Sequence, residues 1–361
     1  PIAHQGLLID GQWQPSASGQ TLPVVSPIDG QTLCSIAAAG AVDVDRAVQA
    51  ARRSFEQGVW SRMAPAERKK ILHRIADRIE AHHAELAVLG VRDNGTEIAM
   101  AWKAEPGSAA GTFRYYAECV DKVNGEIAPT AEGTLGLIHK ESVGVVAAIV
   151  PWNFPLMIGA WKIAPALAAG NSVVLKPSED ASLSLLRLAQ LCLDAGLPPG
   201  VLNVVTGTGA VAGEALARHM DVDILTFTGS GPVGRVLLKA SAESNLKRVY
   251  LELGGKSPNI FFADIADKDD ALFDKAIEGL VMFALNQGEV CTCPSRAIIH
   301  ESIYDKFMAR CLERIKAIKQ GNPLDTDTMM GAQASAMQMD KILSYLQVGK
   351  LDALLALAES L

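Results

Sequence analysis

Between residues 143 and 251 short β-branched runs alternate with helical stretches, and this alternation constrains the fold more than any other feature of the chain. The runs at 145–150, 172–175, 201–205, 224–228 and 248–251 are of strand length, and helices of roughly 10–15 residues separate them. Such a rhythm predicts right-handed strand–helix–strand units in a parallel sheet. Upstream, Leu7 to Trp13 with Asp10-Gly11 predicts a short hairpin. Helices are expected from Asp43 to Gly58, from Pro65 to Asn94 and from Gly107 to Val123, then a hairpin from Asn124 to Lys140. Downstream, 259–262 and 296–300 read as strands, with a helix ending near Gln287 between them. An amphipathic helix is expected over 303–320.

At 361 residues the chain is long enough for two domains. Apolar residues make up 49% and charged residues 20%, an ordinary folded profile. Net charge is −7 without a long block of either sign, which argues against a surface that tracks nucleic-acid phosphates. No apolar run reaches the roughly 18 residues of a membrane span, and no signal peptide is visible. Six scattered cysteines fit reduced thiols in a cytoplasmic protein better than a disulfide framework.

Chemistry-bearing residues gather where the predicted strands end, which is where ligands dock in open α/β sheets. Pro151-Trp152-Asn153-Phe154-Pro155 follows the first strand. Asn153 carries an amide that can donate to a developing negative charge, or can cap the next helix. Lys176-Pro177-Ser178-Glu179 follows the second; a lysine and a carboxylate there can grip the hydroxyls of an adenosine ribose, or merely open a helix. A carboxylate at that point repels a 2′-phosphate and so favours NAD over NADP. Gly229 and Gly234, after another strand, let backbone approach a pyrophosphate at a helix N-terminus. Glu252, beside Gly254-Gly255, can deprotonate a water, or can stand as a solvated strand residue. Cys291 is a potential nucleophile within Asn286-Gln287-Gly288-Glu289-Val290-Cys291-Thr292-Cys293. The Cys291/Cys293 pair has no second pair or nearby histidine to complete a metal site, so no metal is expected.

In this order the motifs resemble the NAD(P)-dependent aldehyde dehydrogenase superfamily, from about Leu7 to Lys350. The resemblance implies an α/β fold: a Rossmann-like parallel-sheet NAD-binding domain (1–123 and 143–254), a bridging and oligomerising β-hairpin (124–142), and a second, incomplete α/β catalytic domain (255–361). It implies that Cys291 attacks an aldehyde to give a thiohemiacetal. Asn153 and the Cys291 N–H would then hold the oxyanion, and Glu252 would activate the water that cleaves the resulting thioester. Lys162 matches a lysine near the active site. Pro151, Trp152, Lys176, Glu179, Gly209, Gly213, Phe227, Gly229, Ser230, Val233 and Leu253 match cofactor contacts. Phe154, Trp161 and Leu285 match a substrate tunnel. An aldehyde substrate and a homodimer or homotetramer follow from the same likeness.

Three departures accompany it. Position 289 is Glu where many members have Gln. The chain looks closer to bacterial aminobutyraldehyde-type enzymes up to about Ile265 and closer to acetaldehyde-type enzymes from Asp267 to Lys350. A Glu-Ile-Phe-Gly-Pro segment that grips the nicotinamide ribose in the family is not found, and 351–361 reads as an Ala/Leu-rich helix former, so a shortened catalytic domain is expected. Three other outcomes stay open on these grounds: transfer of the thioester to coenzyme A, against which Glu252 weighs, a cofactor-binding remnant, and a thiol esterase that uses Cys291 and Asn153 alone.

Overall fold

The computed structural model describes residues 2–359. In chain order its strands and helices are β1 (Leu7–Ile9), β2 (Gln12–Gln14), β3 (Thr21–Val25), β4 (Thr32–Ala37), α1 (Ala41–Gln57), α2 (Pro65–Ala81), α3 (His83–Asn94), α4 (Ile98–Cys119), β5 (Glu126–Ala128), β6 (Gly136–Ile138), β7 (Val145–Ile149), α5 (Pro155–Ala168), β8 (Ser172–Lys176), α6 (Leu183–Asp194), β9 (Leu202–Val204), α7 (Glu214–Arg218), β10 (Ile224–Gly229), α8 (Gly231–Ala242), β11 (Arg248–Leu253), β12 (Ser257–Phe261), α9 (Ala271–Val281), β13 (Pro294–Ile299), α10 (Tyr304–Lys316) and α11 (Ala336–Glu359).

The main sheet has the order β11-β10-β7-β8-β9-β1-β2. Its β11–β10, β10–β7, β7–β8 and β8–β9 pairs are parallel. The N-terminal hairpin β1–β2 adds antiparallel to β9. Asp10 and Gly11 turn that hairpin with φ of 53° and 75°, the left-handed pair that a two-residue loop demands. From β7 the chain winds outward through β8 and β9, then returns to place β10 on the other side of β7. The order therefore reverses between β7 and β10, and a crevice opens at the carboxyl ends of those two strands.

Side-chain alternation divides the core. Val145, Ala147 and Ile149 of β7 join one apolar cluster with Val44, Val48 and Leu216 from α1 and α7. Ala148 and Val150 join the other, with Phe113, Ile158 and Leu188 from α4, α5 and α6. A sheet buried on both faces by helices explains why the strands read as continuous apolar runs. A separate cluster of Phe261, Phe273, Ile277 and Phe307 holds β12, α9 and α10 together. There β12 and β13 form a two-stranded parallel sheet.

Several helix boundaries differ from expectation. The helix expected over Pro65–Asn94 is two, broken at His82, whose φ of −111° and ψ of 23° leave the helical region. The third helix begins at Ile98, well before Gly107, and carries Pro106 inside it. Proline lacks the N–H that would bond the Trp102 carbonyl, and His83 Nε2 meets that carbonyl at 2.8 Å instead. The helix therefore survives its proline. The helix expected over 303–320 is confined to Tyr304–Lys316. α9 ends at Val281, and the path to Gln287 continues as a tighter turn that breaks at Leu285, Asn286 and Gln287. The terminal helix starts at Ala336 rather than near 351, and residues 360–361 lie outside the described part. No helix of the described residues is long and apolar enough to cross a membrane.

Candidate active site

A cleft of about 920 Å³ lies at the carboxyl ends of β7, β8, β10 and β11. It is bounded on its far side by 287–295 and by the first turns of α11. Cys291, Glu252 and Asn153 all line it, as do Pro151, Trp152, Lys176, Glu179, Gly209, Gly213, Phe227, Gly229, Ser230, Val233 and Leu253. These residues are far apart in sequence and meet because parallel strands all end on one side.

The two neighbouring cysteines sit in different surroundings. Cys291 is exposed, whereas Cys293 is buried and its thiol donates to the Met282 carbonyl at 3.1 Å. Burial, together with the nearby Cys291, pushes the Cys293 thiol up. Both cysteines line the cleft, and of the two Cys291 is the exposed one. Its own backbone N–H has no hydrogen-bond partner among the described residues, so it remains available to an oxyanion.

Asn153 leaves β7 in the loop before α5, and its Nδ2 donates to the Glu289 carbonyl at 2.7 Å. A side-chain amide has two N–H bonds. One fixes Asn153 against the nucleophile loop and the other is left for a ligand. Behind it, the Asn94 amide donates to the Trp152 and Asn153 carbonyls at 3.2 and 3.3 Å. Asn286 Nδ2 reaches the Asn153 carbonyl at 3.3 Å, and Thr96 donates to Asn286 Oδ1 at 2.6 Å. These bonds hold Asn286 at φ of 46°, next to Gln287 at 59°, left-handed backbone that non-glycine residues rarely adopt.

Glu252 stands exposed at the end of β11. Lys162, on α5, is buried and donates to Thr226 Oγ1 of β10 at 2.9 Å. Burial pushes its ammonium down to about 8, and the Glu252 carboxylate opposes that fall. Lys162 therefore lies beneath the cleft within the electrostatic reach of Glu252, without lining it. Glu289 is 6% exposed, and burial pushes its carboxyl up to about 8 against hydrogen bonds from the Ala334 N–H and Gln287.

At the other end of the cleft Lys176 Nζ and Glu179 Oε2 are 2.8 Å apart, with the lysine 2% exposed. Glu179 Oε1 also accepts from the Gly209 N–H at 3.2 Å, where a widened helical turn, Gly209–Gly213, leads into α7. Burial alone would raise the Glu179 carboxyl, but the Lys176 ammonium and these hydrogen bonds hold it below the usual carboxylate range. A Cβ on Gly229 would fall 2.4 Å from the Phe227 ring, so only glycine keeps this strand end open beside the ring. Ser230 then caps α8 by accepting from the Val233 N–H. An anionic carboxylate, a lysine, bare glycine backbone and a helix N-terminus in one elongated crevice suit a dinucleotide.

The family model described as the aldehyde dehydrogenase family matches residues 13–359. The chain belongs to the aldehyde dehydrogenase family. It is 49% identical over 350 residues to an aldehyde dehydrogenase of Rhodospirillum rubrum, covering 97% of this chain and 68% of that protein. Acetaldehyde dehydrogenase 2 of Cupriavidus necator is 50% identical over 342 residues, 95% of this chain and 67% of its own length. The chain thus spans about two thirds of the curated aldehyde dehydrogenases it matches. A solved indole-3-acetaldehyde dehydrogenase in complex with NAD+ superposes with a TM-score of 0.93 at 46% identity, over 96% of this chain and 70% of that one.

Not every anticipated residue meets in the cleft of this aldehyde dehydrogenase. Phe154 is buried in the core beneath α5. Trp161 is exposed on a separate groove with Thr112, Tyr115 and Tyr116 of α4. Leu285 is half-buried at the break after α9. Conversely, Met337, Gln338, Lys341 and Ile342 of α11 line the cleft and were not anticipated. Ser335-Ala336-Met337-Gln338 carries the Ser-x-x-Gln signature of a helix start, and Ser335 Oγ does accept from the Gln338 N–H at 3.2 Å. That signal marks the helix, though not its place in the wall.

Proposed function

We propose that this chain oxidises an aldehyde to a carboxylic acid with NAD, through a thioester on Cys291. The observation that carries the reading is the exposed Cys291 thiol in one cleft with the Asn153 amide, the Glu252 carboxylate and the Lys176–Glu179 pair. The dinucleotide would be held by Lys176, Glu179, Gly209, Gly213, Phe227, Gly229, Ser230, Val233, Leu253, Pro151 and Trp152; when bound it supplies the hydride acceptor. Glu179 repels a 2′-phosphate and so favours NAD over NADP.

Cys291 Sγ, as thiolate, bonds to the aldehyde carbon, and the carbonyl electrons move onto oxygen. The free N–H of Asn153 and the N–H of Cys291 stabilise that oxyanion in place, without reorganising at the moment of reaction. Loss of hydride leaves an acyl thioester on Cys291. Glu252 then takes a proton from water, the hydroxide adds to the thioester carbon, and the C–S bond breaks to release the Cys291 thiolate and the carboxylic acid, which gives its proton to solvent. Lys162 lies buried beneath the cleft, within the electrostatic reach of Glu252.

The cofactor-binding unit is proposed to comprise 1–123 and 143–254, built on the two apolar clusters that flank the main sheet, with the catalytic unit at 255–361. The hairpin at 124–142 is proposed to bridge subunits of a homo-oligomer. Its Ile127, Leu135 and Leu137 are 73%, 71% and 70% exposed, more apolar surface than a two-stranded ribbon leaves bare at no cost.

Intact-mass measurement of Glu252→Gln tests the chemistry. With NAD+ and a simple aldehyde, the acyl group should accumulate on Cys291, because the thioester forms and its hydrolysis is slowed by roughly 10²–10⁴. Turnover by that variant at the parental rate, with no adduct, would remove Glu252 from the mechanism.

A further inference from the structure

We infer that Glu289 is a positioning residue, which ties the N-terminus of α11 to the loop carrying Cys291 so that the two move as one wall of the cleft. The inference rests on the reading of Cys291 as nucleophile and concerns what holds it there.

The loop before Cys291 is held in a conformation it would not keep unaided, since Asn286 and Gln287 both have positive φ. The segment 332–335 runs across it as a strap. Gln287 Nε2 donates to the Ala332 carbonyl at 3.2 Å, and Gln333 Nε2 returns a bond to the Gln287 carbonyl at 3.1 Å. The Ala334 N–H donates to Glu289 Oε1 at 3.1 Å. One residue further on, Ser335 caps α11, whose Met337, Gln338, Lys341 and Ile342 face the cleft. The far side of the strap is pinned by the Ala332 N–H on the Gly95 carbonyl at 3.0 Å.

Glu289 is the point where these ties converge. Its side chain grips the strap and its carbonyl accepts from Asn153, two residues before the reacting sulfur. A carboxyl group 6% exposed loses its hydration, so a mere filler of this space would be an apolar residue. The side chain's acceptor oxygen is what the strap requires, and glutamine carries the same oxygen.

The test is a mutant cycle read at the sulfur, with no turnover needed. The rate of Cys291 alkylation by iodoacetamide is followed by peptide mass in the parent, Ser335→Ala, Glu289→Ala and the double variant, with NAD+ binding confirming a folded chain. Ser335→Ala loosens the first turn of α11 and should change the Cys291 rate by about threefold or more in the parent. In the Glu289→Ala background it should change nothing further, and Glu289→Gln should restore the parental coupling. Should Glu289→Ala fail to bind NAD+, Glu289→Met, which keeps the bulk and removes the acceptor oxygen, takes its place in the cycle, with the same loss of coupling expected. Additive effects, or an indifferent Cys291 in Ser335→Ala, would overturn the inference. Coupling in a chain that makes no NADH would uphold the tie while refuting the catalytic reading.

Discussion

Glu105 and Asp93 are buried acids that serve helices other than their own. Glu105 Oε2 accepts from the Met157 N–H in the first turn of α5 at 2.7 Å, and Asp93 Oδ2 accepts from Leu183, the first residue of α6, at 2.6 Å. Each fills part of the role of a helix cap from a distant part of the chain. Burial outweighs these bonds and pushes both carboxyls up to about 8. An unfolded glutamic acid releases its proton near 4.3, so between about pH 4 and about pH 8 the native state holds a proton that the unfolded state has lost. The contribution of Glu105 is therefore full below about pH 4 and is lost as pH rises through about 8. Thermal unfolding near pH 5 and near pH 8.5 checks this: Glu105→Gln should lose less stability across the interval than the parent. An equal loss would show that Glu105 is ionised in the native state. A second residue-scale expectation concerns Glu179. Replacing it with Gln removes the charge that repels a 2′-phosphate, so the preference for NAD over NADP, measured as a ratio of kcat/KM values, should narrow by roughly tenfold or more, about the worth of one charge contact. An unchanged ratio would place cofactor choice elsewhere. At this scale the sequence is most informative: Cys291, Glu252, Asn153, Lys176 and Glu179 stand out because reactive residue types beside glycines and prolines at strand ends are rare in combination, and all five line one cleft. Glu289 stands out in the sequence only as a departure from the family's Gln, since its partner Ala334 offers nothing but a backbone N–H.

At the scale of elements, β7 starts from a fixed point. Gly144 has φ of 130°, and a Cβ there would fall 1.9 Å from Asp223 Oδ2. That oxygen accepts from the Val145 N–H at 2.7 Å and from Arg52 at 2.5 Å, locking the beginning of the central strand to the loop before β10. Gly144→Ala must displace this anchor while strained itself, and should cost about 2 kcal/mol or more in urea denaturation. A change within about 0.5 kcal/mol would mean the strand is anchored otherwise. The five parallel strands were legible because a sheet covered on both faces selects continuous β-branched runs. Helix limits were not. Pro106 hid the first two turns of α4, and the compensating contact comes from His83 on another helix. The break at His82 carries neither glycine nor proline, and the helical periodicity runs through it.

At the scale of the whole molecule, the exposed apolar hairpin β5–β6 predicts self-association. Sedimentation should give a mass above the 38.2 kDa of one chain, and lysines at both Ile127 and Leu137 should return it to the monomer. A parent that is already monomeric would contradict the bridging role. The order of the sheet could not be read from the strands themselves, because nothing local shows that β10 returns beside β7. That reversal opens the crevice, and it unites residues as distant as Asn153 and Cys291. Nor could the sequence show that α11 closes the same cleft, since its contacts depend on the strap at 332–335. The assembled cleft is proposed to carry out aldehyde oxidation through Cys291. A single turnover of the chain with excess NAD+ and an aldehyde, followed by NADH absorbance, tests this. A burst approaching one NADH per active site is expected, and it should disappear in Cys291→Ser while NAD+ binding persists. No burst from the parent chain, or an equal burst from Cys291→Ser, would contradict it.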